Sequence, residues 1–134
     1  MSEVIKTTAT SVFVDDDGVI HVVANGTPST AQSVKETVSA IQSLVPGPRP
    51  AIFDARLWPR AGSDAWTALI DALPAIVSAA AVLVRPEGMA LLGGFPSAVN
   101  RLMLPMEVFT EESKAIAFIR QFLPGQGEEF EEEE

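Results

Sequence analysis

The chain has 134 residues, no cysteine and a formal net charge of −9 at pH 7. This length suits one domain, and the lack of cysteine excludes disulfides, thiol nucleophiles and thiolate metal sites. The first residues do not have the basic start, apolar middle and cleavage site of a secretory signal, and glycine and proline keep the apolar runs well below membrane-spanning length. We therefore expect a cytoplasmic protein without stable membrane insertion.

The acidic charge is concentrated at the C-terminus. Residues 128–134 hold six of the 18 acidic residues, so residues 1–127 carry only 12 acids against nine bases. The tail over 125–134 repels itself and has one apolar residue, which favours a disordered appendage to a domain over 1–124. A docked acidic segment is the alternative. Because the chain has no basic stripe, nucleic acid is not an expected partner.

The spacing of apolar residues predicts alternating strands and helices. Short β-branched and aliphatic runs indicate strands, whereas apolar residues at three- and four-residue spacing indicate helices. In chain order, the predicted elements are strands near 10–14 and 19–24, a helix over 31–45, a strand at 51–54, a helix from Trp66 to Ile76, a strand at 79–84, a helix near 87–101, a strand at 106–109, and a helix opened by Thr110 that runs to Leu123. The order ββαβαβαβα predicts an α/β domain with a mixed, largely parallel sheet and right-handed helical crossovers.

Individual residues support these boundaries. Asp17-Gly18 suits the tight turn of a hairpin between the first two strands. Ser29 and Gln32 stand in the positions of a capping box at the start of the first helix. Pro74 lies inside the second helix and is expected to kink or divide it, because proline cannot donate a hydrogen bond to the preceding turn.

Three stretches of sequence, together with the element order, resemble a known group of small bacterial domains. They are IFDAR (52–56), VSAAAVLV (77–84) and LPMEVFTEESKAIAFIRQFL (104–123), the last of which is similar to a closing signature P-x-x-x-F-T-[DE]-x-x-x-A-x-x-[FW]-[LI]. The chain resembles the SpoIIAA-like, or STAS/SEC14-like, domains over roughly residues 8–124, within an uncharacterised actinobacterial-type group. The resemblance implies a SpoIIAA-like fold and a non-enzymatic regulatory domain that binds another protein.

The resemblance also raises the question of a regulatory serine. Anti-sigma-factor antagonists of the STAS family carry a phosphorylated serine in a D-S-x-G motif at the head of the corresponding helix, where Ser63 falls here. The local sequence is GSDA (62–65), which has neither the preceding acid nor the following glycine. A serine before an apolar-periodic run is also typical of a helix N-cap, which is the interpretation we favour. The alternative is a phosphate at the helix N-terminus with Arg56 and Arg60 near it.

The loop after the strand at 51–54 is the predicted interaction surface. It combines tryptophan with arginine, residue types that are enriched at the centres of protein contacts, although the tryptophans fit a core equally well. The predicted contact residues are Arg56, Trp58, Arg60, Asp64 and Trp66. On this basis, we expect the domain to bind a protein partner through this loop.

The segment MALLGGFPSAVNRLMLPM (89–106) has more apolar residues than one helix face can hide. Three interpretations are open: ordinary core, a dimer or partner surface, and the wall of an apolar ligand pocket. The residues predicted for a pocket or dimer contact are Met89, Leu92, Phe95, Val99 and Met103. The expected assembly is a two-fold homodimer. The alternative function is a SEC14-like binder of a small apolar ligand or lipid, with residues 87–106 as a lid.

The remaining polar motifs do not predict chemistry. His21 has no neighbouring serine or cysteine that it would activate as a nucleophile. The aspartates at 15–17 lack the later ligands and the closing glutamate of an EF-hand loop. Gly93-Gly94 lacks the spacing and the lysine of a phosphate loop. The sequence therefore predicts no catalytic residue, no metal ligand and no cofactor.

Overall fold

A computed structural model describes residues 3–57, 63–92, 101 and 103–123, with only the backbone of Ser63 and of residues 90–92. These residues form an α/β fold in which three α-helices accompany a mixed six-stranded sheet. The strands are β1 (Ile5–Lys6), β2 (Thr10–Val14), β3 (Ile20–Ala24), β4 (Arg49–Asp54), β5 (Val77–Leu83) and β6 (Met106–Phe109). The helices are α1 (Ala31–Leu44), α2 (Ser63–Ile76) and α3 (Glu112–Arg120), and a 3-10 helix covers Pro86–Leu92.

The six strands lie side by side in chain order, from β1 at one edge to β6 at the other. The pairs β1–β2 and β2–β3 are antiparallel, whereas β3–β4, β4–β5 and β5–β6 are parallel. Parallel neighbours need a crossover connection, which α1 and α2 supply between β3 and β4 and between β4 and β5. The predicted α/β class, with a mixed sheet whose later strands are parallel, is therefore confirmed.

The two faces of the sheet are covered by different helices. Side chains of α1, α2 and the sheet form one core cluster, which includes Val12, Ile20, Val22, Ala40, Ile41, Ala51, Leu73, Ile76 and Ala80. On the other face, Ala115 and Ile119 of α3 form a second cluster with Ile52. Successive strand residues point to opposite faces, so Ala51 and Ile52 belong to different clusters. Three buried alanines, 79–81, allow helices to approach β5 from both sides.

The β2–β3 hairpin closes through a turn that an aspartate organises. The Gly18 amide donates to the carbonyl of Asp15 at 3.0 Å, and Gly18 has φ +87°. One carboxylate oxygen of Asp15 accepts hydrogen bonds from the amides of Asp17 and Val19, at 2.9 and 3.0 Å. The predicted hairpin is confirmed, and Gly18 is the residue that provides the left-handed backbone conformation.

The first helix begins one residue later than the predicted capping box requires. Its N-cap is Thr30, whose hydroxyl accepts from the Ser33 amide at 3.1 Å, while the Ser33 hydroxyl accepts from the Thr30 amide at 2.8 Å. The box is thus Thr30–Ser33, and the predicted pair Ser29–Gln32 was wrong. The three-residue spacing fits both pairs, but Gln32 is exposed whereas Ser33 is buried against the sheet.

Three other expectations are corrected at the ends of helices. Pro74 does not divide α2, because it lies in the last turn and the helix ends only two residues later, directly before β5. The last helix begins at Glu112 with Glu111 as its N-cap, not at Thr110. A 3-10 helix occupies the described start of the predicted helix near 87–101, and residues 93–100 lie outside the described residues. Among the described helices, none is long and apolar enough to cross a bilayer.

Candidate functional site

The candidate site lies at the edge of the sheet where β3 and β4 end and where α1 and α2 begin. The connections that follow β3 and β4 lie side by side at this edge, because the two strands are parallel neighbours. We define the carboxyl-edge site by Asp54, Arg56 and Leu57 after β4, by Gly26 before α1, and by Asp64 in the first turn of α2. These positions are brought together by the fold, because two separate connections, β3–α1 and β4–α2, contribute to them.

Asp54 and Arg56 form a bidentate ion pair at the end of β4. One carboxylate oxygen of Asp54 accepts from the backbone amide and from Nε of Arg56, at 3.2 and 3.0 Å, and the other accepts from Nη2 at 2.7 Å. Burial would raise the pKa of Asp54, but the hydrogen bonds from Arg56 outweigh burial and lower this pKa below its usual value. The same hydrogen bonds raise the pKa of Arg56. Both groups are therefore charged at neutral pH, and the guanidinium is held in one orientation.

The Arg56 side chain is 42% exposed, so its guanidinium is presented at the surface. Nη2 also lies 3.8 Å from a carboxylate oxygen of Glu112, the first residue of α3. Leu57, the next residue after Arg56, is 55% exposed. A fixed cation and an exposed aliphatic side chain therefore stand next to each other in the chain.

The loop before α1 lies beside the loop after β4. A Cβ atom at Gly26 would stand 3.8 Å from the carbonyl oxygen of Leu57, and Gly26 has φ +92°. The amide of Ala31 in the first turn of α1 donates to the carboxylate of Asp64 at 3.3 Å. The carboxylate of Asp64 in α2 thus accepts a hydrogen bond from one of the free amides at the N-terminus of α1, where Thr30 is the N-cap.

A cavity of about 50 Å³ lies behind this edge, between the sheet and α1. Its described lining consists of Ala9, Thr10, Val22, Ala24, Ser29, Ser33, Val34, Thr37, Phe53, Asp54, Ala55 and Leu69. A wider, open groove of about 810 Å³ runs between the outer sides of α1 and α2. The cavity is the more enclosed of these two spaces and reaches Asp54 at the end of β4. The Asp54–Arg56 pair itself lies on the opposite, α3 face of the sheet, because Asp54 shares the face of Ile52 and Arg56 lies beside Glu112.

The contact residues predicted from sequence have different surroundings. Arg56 is exposed, and Asp64 is exposed while it bonds to α1. Trp66 is half-buried and packs near Val82 and Val84 in the core. Trp58 and Arg60 lie outside the described residues. Ser63 opens α2 with its backbone, and its side chain lies outside the description.

The predicted pocket or dimer residues are described only in part. Met89 is 47% exposed, and Met103 is 90% exposed with φ +62°. Both side chains therefore face solvent in this chain rather than the core. Phe95 and Val99 lie outside the described residues, as does the side chain of Leu92.

A second polar cluster lies on the hairpin. Nε2 of His21 is 2.8 Å from a carboxylate oxygen of Asp15, and the ring of His21 stacks on Phe13 with centroids 4.7 Å apart. Burial would raise the pKa of Asp15, but hydrogen bonds from His21 and from two turn amides lower it below its usual value. The described residues contain no group of three or more side chains suited to hold a metal ion.

Sequence reasoning did not identify Asp54, Leu57 or the cavity as parts of the site. The spacing of Asp54 and Arg56 at the end of an apolar strand is a signal that was available. No local sequence pattern predicts the cavity, because its described walls come from β2, β3, β4, α1 and α2.

A family model described as a domain of unknown function (DUF7793) matches residues 12–123, which is most of the chain. No curated protein and no solved structure matches the chain.

Proposed function

We propose that this chain, which belongs to the DUF7793 family of domains of unknown function, is a non-enzymatic protein-interaction domain that binds its partner through the carboxyl-edge site. The resemblance to SpoIIAA-like domains supports a regulatory role of this kind. The proposal includes Arg56 and Leu57 as central contacts, with Trp58 and Arg60 as further contacts predicted from sequence.

The observation that carries the proposal is the fixed, exposed guanidinium of Arg56. Arginine is enriched among residues that dominate binding energy, and its planar group recognises carboxylates and carbonyls with defined geometry. Because Asp54 already holds the guanidinium in place, a partner would not have to order a free arginine side chain. The exposed Leu57 beside it adds apolar area to the same contact.

The polar groups near the site support binding over catalysis. The carboxylate of Asp54 is engaged by Arg56, which leaves it poorly suited to act as a general base. The hydroxyls of Ser33 and Thr37 donate to backbone carbonyls of α1 and its cap. Among the described residues near the site, these three side chains are thus engaged within the domain.

The size of the cavity favours a protein partner over a lipid. Pockets for drug-sized ligands usually enclose about 300–1,000 Å³, whereas this cavity has about 50 Å³. The SEC14-like alternative depends on residues 87–106, of which 93–100 and 102 lie outside the description. The small volume of the cavity alone ranks the carrier function second.

The proposal is tested by isolating partners from the native host with the tagged chain and then measuring binding with both purified proteins. We expect Arg56→Ala to weaken binding at least tenfold, and Leu57→Ala to weaken it by a smaller factor. Arg120→Ala, at an exposed arginine at the end of α3, is the control and should leave the affinity unchanged. Unaltered binding by the Arg56 and Leu57 variants would reject the carboxyl-edge site as the interface.

A further inference from the structure

The α3 face of the sheet is covered unevenly. α3 packs against β4, β5 and β6, whereas α1 and α2 lie on the opposite face. Along β2 and β3, the residues Val12, Ile20 and Val22 point toward α1 and α2 and are buried. Their neighbours on the α3 face are only half-buried, and we call them the open face: Ser11, Phe13, His21 and Val23.

We propose that the acidic tail, residues 125–134, docks on the open face of its own chain and reaches the neighbourhood of Arg56. The tail lies outside the described residues, and docking is the alternative that its sequence leaves open. The docking itself does not depend on the proposed function. Its consequence does, because a tail beside Arg56 would compete with a partner at the carboxyl-edge site.

The described chain ends beside the open face. α3 begins at the carboxyl edge, where Glu112 lies 3.8 Å from Arg56, and it packs back along the parallel strands toward their amino ends. Phe122 and Leu123, which follow α3, pack on the cluster that contains Val19, the residue just before β3. The tail therefore starts near the amino end of β3, on the same side of the sheet as the open face.

The tail is long enough to cross the open face. Val23 lies four residues after Val19, a distance of roughly 13 Å along a strand. Phe130 is the seventh residue after Leu123 and can lie up to roughly 23 Å from it in an extended chain. The ring of Phe130 can therefore reach Val23 and Phe13, and the glutamates after it can reach beyond them.

The order of charges in the tail matches the order of charges along this face. The hairpin turn at the amino end of β3 carries Asp16 and Asp17, both exposed, which would repel an anionic chain. The first part of the tail, residues 125–127, is uncharged, and the six glutamates follow from residue 128 onward. The neutral part is thus the part that passes the acidic turn.

Two cations stand at the other end of the open face. In the register of the sheet, four neighbouring residues share this face: Lys6, Ser11, Val23 and Asp54. Lys6 is exposed and forms no ion pair with another described residue. Arg56 is paired with Asp54 and lies near Glu112, although only two of its five donors serve Asp54. Lys6 is therefore the main expected contact of the glutamates, and Arg56 is the second.

The apolar part of the contact comes from Phe130. The rings of Phe13 and His21 stack with centroids 4.7 Å apart, and Val23 beside them is half-buried. Covering these groups removes apolar surface from water, and Phe130 is the one apolar residue of the tail. Because salt screens exposed charges, the docking should need both Phe130 and the cations and should weaken at high salt.

The test uses a nitroxide spin label on the full chain. The chain has no cysteine, so Glu132→Cys provides a single attachment point in the tail. We expect the label to broaden the amide NMR signals of Ser11 and Val23 at least twofold more than those of Gln32 and Ser39, which are exposed on α1. About 1 M sodium chloride should remove most of this difference. Equal broadening of the two pairs would overturn the inference.

Substitutions in the labelled chain assign the contact. Phe130→Ala and Lys6→Glu should each reduce the broadening at Ser11 and Val23 at least twofold. Lys35→Glu makes the same charge change at an exposed lysine of α1 and is the control. Broadening that survives both test variants would contradict the assigned contacts. Mixing spin-labelled chain with isotope-enriched, unlabelled chain tests a second copy as the receiver of the tail, and broadening of full strength in this mixture would reject docking within one chain.

The docking and the proposed function fail in different ways. The spin label reports the docking without any partner, whereas Arg56→Ala tests the partner contact. If both hold, Phe130→Ala should strengthen binding of the purified partner at least threefold, because it releases the tail from the neighbourhood of Arg56. An unchanged partner affinity in a variant whose tail no longer docks would overturn the competition.

Discussion

Asp15 and His21 are joined across the β2–β3 hairpin, with Nε2 of His21 2.8 Å from a carboxylate oxygen of Asp15. The second oxygen of the same carboxylate accepts from the amides of Asp17 and Val19. A single side chain thus fixes the turn and ties it to the second residue of β3. Its neighbours Asp16 and Asp17 are exposed, so only one of the three consecutive aspartates has this structural role.

Asp15→Ala should therefore destabilise the fold. The change leaves two turn amides and His21 without their acceptor, and we expect the free energy of unfolding to fall by about 1–3 kcal/mol. Urea unfolding measures this loss. Asp16→Ala is the matched control and should change stability by less than about 0.5 kcal/mol, as exposed substitutions usually do. Equal effects of the two variants would contradict the assigned role of Asp15.

Stability should fall in acid, in part through Asp54. Its pKa in the folded state lies below its usual value, so the folded state binds fewer protons than the unfolded state. The stabilisation is fully present above the unfolded pKa of about 3.9 and is lost as the pH falls through the folded pKa. Urea unfolding from pH 7 to pH 3 should show this decline.

Two variants assign the acid-dependent stability to the ion pair. Asp54→Asn removes the titrating group, and Arg56→Gln removes the charged donor that lowers its pKa. Both should reduce the loss of stability between pH 5 and pH 3 relative to the unchanged chain, after their different stabilities at pH 7 are taken into account. A decline identical to that of the unchanged chain in both variants would exclude Asp54 as its source.

The N-cap of α1 gives a prediction that separates two possible capping boxes. Thr30→Ala removes the hydroxyl that accepts from Ser33 and should cost about 0.5–2 kcal/mol of stability. Gln32→Ala should cost less than about 0.5 kcal/mol, because Gln32 is exposed. Thermal or urea unfolding distinguishes the two. A larger loss of stability for Gln32→Ala than for Thr30→Ala would instead support the Ser29–Gln32 box.

These two boxes illustrate what the sequence could and could not predict. The strands and helices carry their own periodicity, so β2, β3, β4 and α1 were predicted close to their positions in the structure. The two-residue β1 has too few residues for a period and was missed. Which pair of residues forms the capping box depends on which side chain faces the sheet. The three-residue spacing is the same for both pairs and does not distinguish them.

The site was harder to predict because its contacts are distant in sequence. Thr10 and Thr37, which both line the cavity, share a hydrogen bond across 27 positions. Arg56 was identified from residue type, but its pairing with Asp54 requires the local geometry at the end of β4. Tryptophan is a residue type that is common in protein contacts, but Trp66 is half-buried within this domain. Residue type alone does not distinguish a contact residue from a partly buried one.

Self-association through the segment 89–106 is a prediction from sequence that light scattering can test. We expect a dimer at high micromolar concentration, and we expect Met89→Glu to shift it toward the monomer, because Met89 is 47% exposed and a carboxylate would have to be buried in the contact. Val4→Glu, at a residue that is 53% exposed and outside the segment, is the control. A monomeric unchanged chain at that concentration would reject the dimer.

The last prediction concerns Ser63, at the start of α2. If Ser63 caps the helix, Ser63→Ala should lower the free energy of unfolding by about 0.5–2 kcal/mol, whereas Ser63→Asp should be nearly neutral because aspartate also caps. If Ser63 is instead a phosphorylation switch, Ser63→Asp should change partner binding with little effect on stability. Urea unfolding and binding of the purified partner separate these outcomes.

The ion pair at the carboxyl edge favours the cap. A phosphate on Ser63 that recruited Arg56 would compete with the two charge-assisted hydrogen bonds that Asp54 already receives. The carboxylate of Asp64, the next residue in the chain, already bonds to the first turn of α1. Phosphopeptide mapping of the protein from its native host is therefore expected to find Ser63 unmodified in every growth state. Stoichiometric phosphate on Ser63 would instead reject the cap interpretation in favour of the switch.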